Sequence, residues 1–382
     1  MDQGRRPRKD KLQNQGLSGN LGGLPGYHLS RRKVLVGTLL ATGWAWTGLR
    51  PQSTHAFASL ASSTVLKSHR LSGEGEVLAV CTTAPGILLA IGRDTSERPA
   101  MWLVDTTTQT SEQVSLDATQ FNSAEVLGVD HDGGNHVVVG SVLLEETVTV
   151  MDTPTSEIGG SESYQGTHRK HMPASWTSPN GREWKRNMIS SLVQNARLVD
   201  VHYDGTSWVA VGGYLDDDAV EGVRGLIMTS LDGETWTEVP LDPAQAALSE
   251  GMFEGVTSVG GRPIAVTADL GGSKVFSRKE DLVWFGTAPD RAAFHDGSAV
   301  GIGSDGKTLY LAFDEVRTHT AQLATSKDGG TSWTEVGGYF RSLEEQGGAV
   351  KGLDCVADET VFAVGSIGQT PVVWLDHHSR GR

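Results

Sequence analysis

The sequence predicts an all-β chain folded as a six-bladed β-propeller of four-stranded antiparallel blades. Three observations predict it. Short apolar strands recur at a near-constant interval. Turns that end in Trp recur at the same interval. The composition is rich in glycine, with 48 Gly among 382 residues, and only 20% of residues are charged. Glycine-rich chains with Thr, Val and Trp favour short strands joined by many turns.

The first element is a leader. Residues 1–58 fall outside the expected fold, and the basic residues Arg5, Arg6, Arg8, Lys9 and Lys11 open it. Ser30-Arg31-Arg32-Lys33-Val34-Leu35 and the apolar run Val34–Leu49 follow. The run is short and interrupted by Gly, so a membrane span is not expected. Ala56-Phe57-Ala58 supplies small residues at a cleavage site, which places the mature start at Ser59. Arg31 and Arg32 with this run resemble a twin-arginine export signal. The resemblance implies export in the folded state and an extracytoplasmic or secreted location.

The strands come next. Six third strands align at Pro99–Trp102, Pro173–Trp176, Gly225–Met228, Ser273–Phe276, Ala321–Ala324 and Pro371–Trp374. Their last residues are 74, 52, 48, 48 and 50 apart, and a period near 50 suits one four-stranded blade. The second strands are Ile87–Gly92, His136–Gly140, Trp208–Gly212, Pro263–Thr267, Leu309–Phe313 and Val361–Gly365. The first strands are Val77–Val80, Val126–Val129, Leu198–Val201, Val256–Val259, Val300–Ile302 and Val350–Leu353. Asp132-Gly-Gly134, Asp204-Gly205, Gly260-Gly261 and Asp305-Gly306 are hairpin turns between them. Fourth strands follow the Trp turns, as in Thr237–Val239 and Thr334–Val336.

Two departures from the repeat carry information. The step of 74 holds an insertion at about residues 143–172, expected to be a solvated loop, or else a lid or partner-binding arm over the face carrying the loops from second to third strands. The last blade runs out of chain after Asp376, so Thr64–Leu71 is expected to supply its fourth strand and close the ring.

The turns are Ser178-Pro-Asn-Gly-Arg-Glu-Trp184, Ser230-Leu-Asp-Gly-Glu-Thr-Trp236, Arg278-Lys-Glu-Asp-Leu-Val-Trp284 and Ser326-Lys-Asp-Gly-Gly-Thr-Ser-Trp333. Asn180, Asp232 and Asp328 can accept from the backbone two residues on, and Gly supplies positive φ. These stretches resemble the Asp-box, or bacterial neuraminidase, repeat Ser-x-Asp-x-Gly-x-x-Trp. Ser326, Asp328, Gly330 and Trp333 match it fully; Ser178, Asn180 and Trp184 match with Asn for Asp, and Ser230, Asp232 and Trp236 in a stretch one residue shorter. The stretch at 278 keeps Glu280 and Trp284. The resemblance implies a propeller of the sialidase-like superfamily, with each Trp as a structural lid.

Charge narrows the partners. The chain has 32 Lys and Arg against 46 Asp and Glu, a net charge of −14. Nine of the basic and two of the acidic residues lie in 1–58, so the remainder carries −21. Such a surface repels phosphate backbones and anionic lipid, which disfavours nucleic acid and membrane partners. Cys81 and Cys355 are the only cysteines. A staple between the first and last blades is one reading; the other, favoured here, is two buried thiols, because Cys81 aligns with Asp354 and a one-residue offset reverses the side chain.

Candidate ligand-binding residues sit on the face carrying the loops from second to third strands and from blade to blade. They are Arg98, Arg224 and Arg317, which begin third strands in alternate blades, with Glu254, Asp296, Asp314 and His319. The Asp-box resemblance implies an alternative: sialidases of that superfamily clamp a carboxylate with three arginines and use a Tyr nucleophile, a Glu and an Asp. No Tyr here has that context, and the family's Arg-Ile-Pro motif is absent. No Ser-His-Asp order, zinc spacing, phosphate-binding Gly loop or Cys-x-x-Cys motif stands out, and no metal or cofactor is expected. The expected function is non-catalytic binding of an extracellular glycan, peptide or protein by a monomer. A divergent glycoside hydrolase and an assembly or stability factor are the alternatives.

Overall fold

The structure is a computed structural model, which describes residues 67–151, 163–190, 195–215, 222–240, 251–268, 274–278, 284–287, 297–315, 320–337, 339–340, 343, 345, 347–355 and 360–376. It is an all-β propeller of six four-stranded antiparallel sheets. Strand β1 (Lys67–Arg70) opens the described chain. Blade 1 is β2 (Gly75–Ala84), β3 (Ile87–Asp94), β4 (Pro99–Asp105) and β5 (Thr110–Gln113). The short helix α1 (Ala118–Phe121) leads to blade 2: β6 (Ala124–His131), β7 (His136–Met151), β8 (Ser163–Ser178) and β9 (Lys185–Met188). Blade 3 is β10 (Ala196–Tyr203), β11 (Trp208–Leu215), β12 (Val223–Ser230) and β13 (Thr237–Glu238). Blade 4 is β14 (Met252–Val259), β15 (Arg262–Ala268), β16 (Lys274–Arg278) and β17 (Trp284–Thr287). Blade 5 is β18 (Gly297–Ser304), β19 (Leu309–Glu315), β20 (Thr320–Ser326) and β21 (Thr334–Val336). Blade 6 is β22 (Gly348–Cys355), β23 (Val361–Ile367) and β24 (Thr370–Asp376), completed by β1.

The ring closes as the sequence implied. Lys67, Ser68, His69 and Arg70 pair antiparallel with Leu375, Trp374, Val373 and Val372. Leu71 N donates to Pro371 O at 2.9 Å, and Trp102 Nε1 of blade 1 donates to Ser72 O at 2.9 Å. Leu71 is buried among Val77, Trp102, Phe362 and Val373, so the segment seals the seam between the last blade and the first. Residues 64–66 lie outside the described residues.

The first strand of each blade packs on the first strand of the next, β2 to β6 and onward to β22, which packs back on β2. Six innermost strands therefore surround one axis. Each carries a bulge at one repeated place: between Val77 and Ala79, Val126 and Gly128, Leu198 and Asp200, Phe253 and Gly255, Ala299 and Gly301, and Val350 and Gly352. A bulge bends the strand and raises its twist, which suits a strand curving past an axis. Where the residue after the bulge is Gly, it has a steric reason. A Cβ on Gly128 would lie 2.5 Å from Asp200 Cα in the next blade, and one on Gly352 would lie 2.4 Å from Leu78 O. This register corrects the expected first strand of blade 4. The residues equivalent to Val77–Val80 are Phe253–Val256, three places before the expected Val256–Val259.

The Trp turns lie at the ends of third strands. In the turn at 230, Ser230 Oγ donates to Asp232 Oδ1 at 2.9 Å, and that oxygen accepts from Glu234 N and Thr235 N at 2.8 and 2.7 Å. In the turn at 326, Ser326 Oγ donates to Asp328 Oδ1 at 2.8 Å, which accepts from Thr331 N and Ser332 N. In the turn at 178, Asn180 Oδ1 accepts from Arg182 N and Glu183 N, both at 2.9 Å. Trp236 Nε1 reaches back to Gly233 O and Trp333 Nε1 to Gly330 O, each at 3.0 Å. Trp184, Trp236 and Trp284 are buried. Trp333 is only half-buried, against the cluster between blades 4 and 5, so its lid is looser than expected. Of the stretch at 278, residues 279–283 lie outside the described residues.

The insertion is not a loop where it is described. Residues 143–151 of β7 and 163–171 of β8 stay paired in continuous register, from Leu143 opposite His171 to Met151 opposite Ser163. Alternating Thr, Val, Glu and Tyr there suit a two-stranded arm, and the composition that resembled a solvated loop belongs to paired strands. Cys81 and Cys355 are buried free thiols. Burial, then the nearby Asp130 and Asp354, push the Cys81 thiol well up. No helix among the described residues is long and apolar enough to cross a membrane.

Candidate functional site

The axis has two ends of different chemistry. One end, here the mouth, is where second strands end and where third and first strands begin. The other, the floor, collects the turns between first and second strands together with the Trp turns.

Among the described residues, the mouth holds two ion-pair networks. Between blades 6 and 1, Glu76 accepts from Arg93 Nε at 2.7 Å and meets Lys351 Nζ at 3.2 Å. Arg93 also engages Glu97. Burial raises the Glu76 pKa, but Lys351 and Arg93 outweigh it and hold the carboxyl below its usual range. Between blades 2 and 3, Arg197 Nη1 lies 3.3 Å from Glu125 Oε2, and Arg197 Nη2 lies 2.6 Å from His171 Nε2. Ser141 Oγ joins both Glu125 Oε2 at 3.3 Å and His171 Nδ1 at 3.1 Å. His171 stands at the base of the blade 2 arm, so the arm rises from this network.

The predicted binding residues are placed unevenly. Arg98 precedes β4 with its side chain 76% exposed, and Asp94 holds it at 2.8 Å. Arg224 lies on β12 opposite Tyr214. Glu254 is the bulged residue of β14 and is buried near the axis. Asp314 lies on β19, between Ser298 and Ala321. Asp296, Arg317 and His319 lie outside the described residues, so the convergence of three arginines rests on a position that is not described.

The floor holds a cluster that the motif search missed. Asp130 near the end of β6, His202 near the end of β10 and Ser258 near the end of β14 come together from three successive blades. His202 Nδ1 lies 3.0 Å from Asp130 Oδ2, and His202 Nε2 lies 2.8 Å from Ser258 Oγ. Asp130 is held by backbone donors, His131 N to Oδ1 at 2.8 Å and Tyr203 N to Oδ2 at 2.7 Å. Asp200 likewise accepts from Val201 N and from Val256 N in the next blade, both at 2.9 Å. Asp354 accepts from Cys355 N at 2.7 Å. Burial first, then Asp130, push the Asp354 carboxyl up to about 7. Burial lowers the His202 pKa, but Asp130, Asp354 and Asp200 outweigh it and raise it.

No Ser-His-Asp order stood out in the sequence, and these groups do not follow one. The three groups run Asp, His, Ser along the chain and are 72 and 56 residues apart. The usable signal was positional. Asp130, His202 and Asp354 stand three residues after the bulged position of their strands, and Ser258 stands four after its own. The three-residue slip in blade 4 concealed this. Among the described residues, no group of three His, Cys, Asp or Glu is arranged to hold a metal ion.

The fold and its axis define a six-bladed propeller of the kind found in sialidases and arabinanases. The Hadza microbial sialidase Hz136 superposes over 81% of this chain and 66% of its own, with 15% identity and a TM-score of 0.51. The α-L-arabinanase of Penicillium chrysogenum, complexed with arabinobiose, superposes over 82% of this chain and 98% of its own, with 12% identity and a TM-score of 0.50. YCF48 bound to a D1 peptide superposes over 81% of this chain and 96% of its own, with 12% identity and a TM-score of 0.46. This chain spans just under two thirds of the Hadza sialidase and 55% of the sialidase of Trypanosoma rangeli. No protein-family model matches the chain, and no curated protein matches it. At these identities the likeness defines the fold alone.

Proposed function

We propose that the protein is an exported binding propeller whose mouth takes a polar ligand, a glycan or an extended peptide, without catalysis there. The observation that carries this reading is the pairing of the two mouth networks with the blade 2 arm. Glu76, Arg93 and Lys351 on one side, and Glu125, Arg197 and His171 on the other, offer fixed donors and acceptors around one axis. Loops and arms on a rigid scaffold are the usual place for recognition. The Trp turns occupy the opposite end and act as Asp-box lids, outside the ligand site. The leader directs the chain through the twin-arginine route, with cleavage after Ala58, and the strongly acidic remainder suits a soluble exported protein.

Binding of sialosides, arabino-oligosaccharides and an extended-peptide library, followed by calorimetry, tests the reading. A ligand in any class should bind, and Arg98→Ala or removal of Glu145–Gly166 should weaken it with the melting temperature shifted by at most a few degrees. No binding in any class sinks the proposal. Release of sugar from a fluorogenic sialoside or arabinoside replaces it with the glycoside hydrolase alternative.

A further inference from the structure

We propose that Ser258, His202 and Asp130 form a second site, at the floor of the axis, where Ser258 is an acyl-accepting nucleophile toward neutral or cationic carboxylic esters. The site lies at the opposite end from the mouth and does not rest on the binding role given to the mouth.

The atoms are used in the senses such chemistry needs. Asp130 Oδ2 faces His202 Nδ1 at 3.0 Å, which fixes the proton on Nδ1 and leaves the Nε2 lone pair toward Ser258 Oγ at 2.8 Å. Two backbone N–H groups hold Asp130 in place, so the carboxylate is oriented before any substrate arrives. Asp130 and His202 are 20% and 25% exposed, and Ser258 is half-exposed, so the relay is open to solvent at one edge. The turn that follows the nucleophile is open. Ser258 is followed by the turn at Gly260 and Gly261, and a Cβ on either glycine would meet nothing within 4 Å. Asp200 and Asp354 act electrostatically on the same imidazole, so the floor is negative and disfavours anionic substrates.

The reaction balances without a cofactor. Ser258 Oγ bonds to the ester carbonyl carbon as its proton passes to His202 Nε2. The bond from carbon to the alkoxy oxygen breaks, and His202 protonates the departing alcohol. Water, deprotonated by His202, then cleaves the acyl–Ser258 ester, releasing a carboxylic acid and restoring the serine. Asp130 is a positioning residue throughout.

The repeat supplies an internal control. Ser304 stands at the same register position one blade further on, but the position matching His202 in the blade before it is Thr257. A serine there lacks the base.

The full chain should be incubated with an uncharged fluorophosphonate and analysed by intact mass and peptide mapping. Ser258 Oγ attacks phosphorus, fluoride leaves, and one adduct forms on the peptide holding Ser258. Ser258→Ala should abolish the adduct and Ser304→Ala should retain it. Asp130→Asn should slow labelling at least tenfold and move its pH profile to lower pH, which loss of packing alone does not do. Turnover of a neutral p-nitrophenyl ester should exceed that of a dicarboxylic analogue. If the folded wild-type chain takes no adduct, or takes it on another residue, the proposal is overturned and the relay is a clamp between blades. Mapping on the wild type keeps the test valid even where a variant fails to fold.

Discussion

At the residue scale, the Trp turns and the floor cluster make different demands. Trp236 donates to Gly233 O and to Ser175 Oγ at 3.0 and 3.1 Å, so its indole ties its own turn to the neighbouring blade. Trp236→Ala should therefore cost about 3–5 kcal/mol, read by chemical denaturation. An unchanged midpoint contradicts the structural role. Asp354 sets a pH dependence. Its folded pKa of about 7 lies above the value near 3.8 of a free carboxyl, so the folded state holds an extra proton between those limits. That contribution is present at low pH and is lost as pH rises from about 4 through 7. The raised His202 works in the same direction, with its share lost as pH rises through its folded pKa. Asp354→Asn keeps an oxygen for Cys355 N and cannot ionise. It should stabilise the protein at pH 8 by about 1–3 kcal/mol, less than full burial implies because the carboxyl is half-exposed. The gain should shrink as pH falls from about 7 and vanish only below about 4, as thermal melting across pH would record.

At the element scale, β1 and the blade 2 arm are both additions to the repeat, yet they matter differently. Strand β1 covers the edge of β24 and buries Leu71 in the seam. The arm pairs only with itself beyond the blade. Deleting Ser62–Ser72 should lower the melting temperature by at least 10 °C or yield aggregates, because an open edge strand with Val372 and Val373 is exposed. Deleting Glu145–Gly166 should shift it by only a few degrees. Equal melting of the two deletions contradicts the sealing role of β1. This contrast shows what the sequence makes legible. Strand count, period and closure were readable because Val–Val–Val runs, Trp turns and a missing sixth outer strand repeat or fail visibly. The bulges were not, since an extra residue in one strand leaves no mark on its hydrophobicity. The strand pairing within the arm was not, because strands that extend beyond a sheet and loops share a composition. The floor cluster depended on the bulges: Asp130, His202 and Ser258 share no motif spacing, and only the common register brings them together.

At the scale of the whole molecule, charge is divided along the sequence: residues 1–58 are basic and the remainder is acidic. The export assignment predicts that replacing Arg31 and Arg32 together by Lys leaves precursor in the cytoplasm. Fractionation with an antibody to the propeller reads the result, and normal export of that variant contradicts the assignment. The net charge of −21 beyond residue 58 also predicts that association with basic partners weakens as salt rises.

The closing strand has a kinetic consequence. Lys67 and Leu375 are paired although roughly 300 residues separate them, and closing a loop of that length costs about 5 kcal/mol of chain entropy. Five blades can form from chain that has already left the ribosome. The sixth cannot, since its outer strand is made first and its partner last. The first strand therefore waits unpaired through nearly the whole of synthesis, and closure should be the slow step of refolding. A circular permutant that moves residues 62–72 to follow Asp376 turns this contact into a local hairpin. It should refold faster than the natural order with its final blade pairing unchanged, as stopped-flow fluorescence of the buried Trp residues would show.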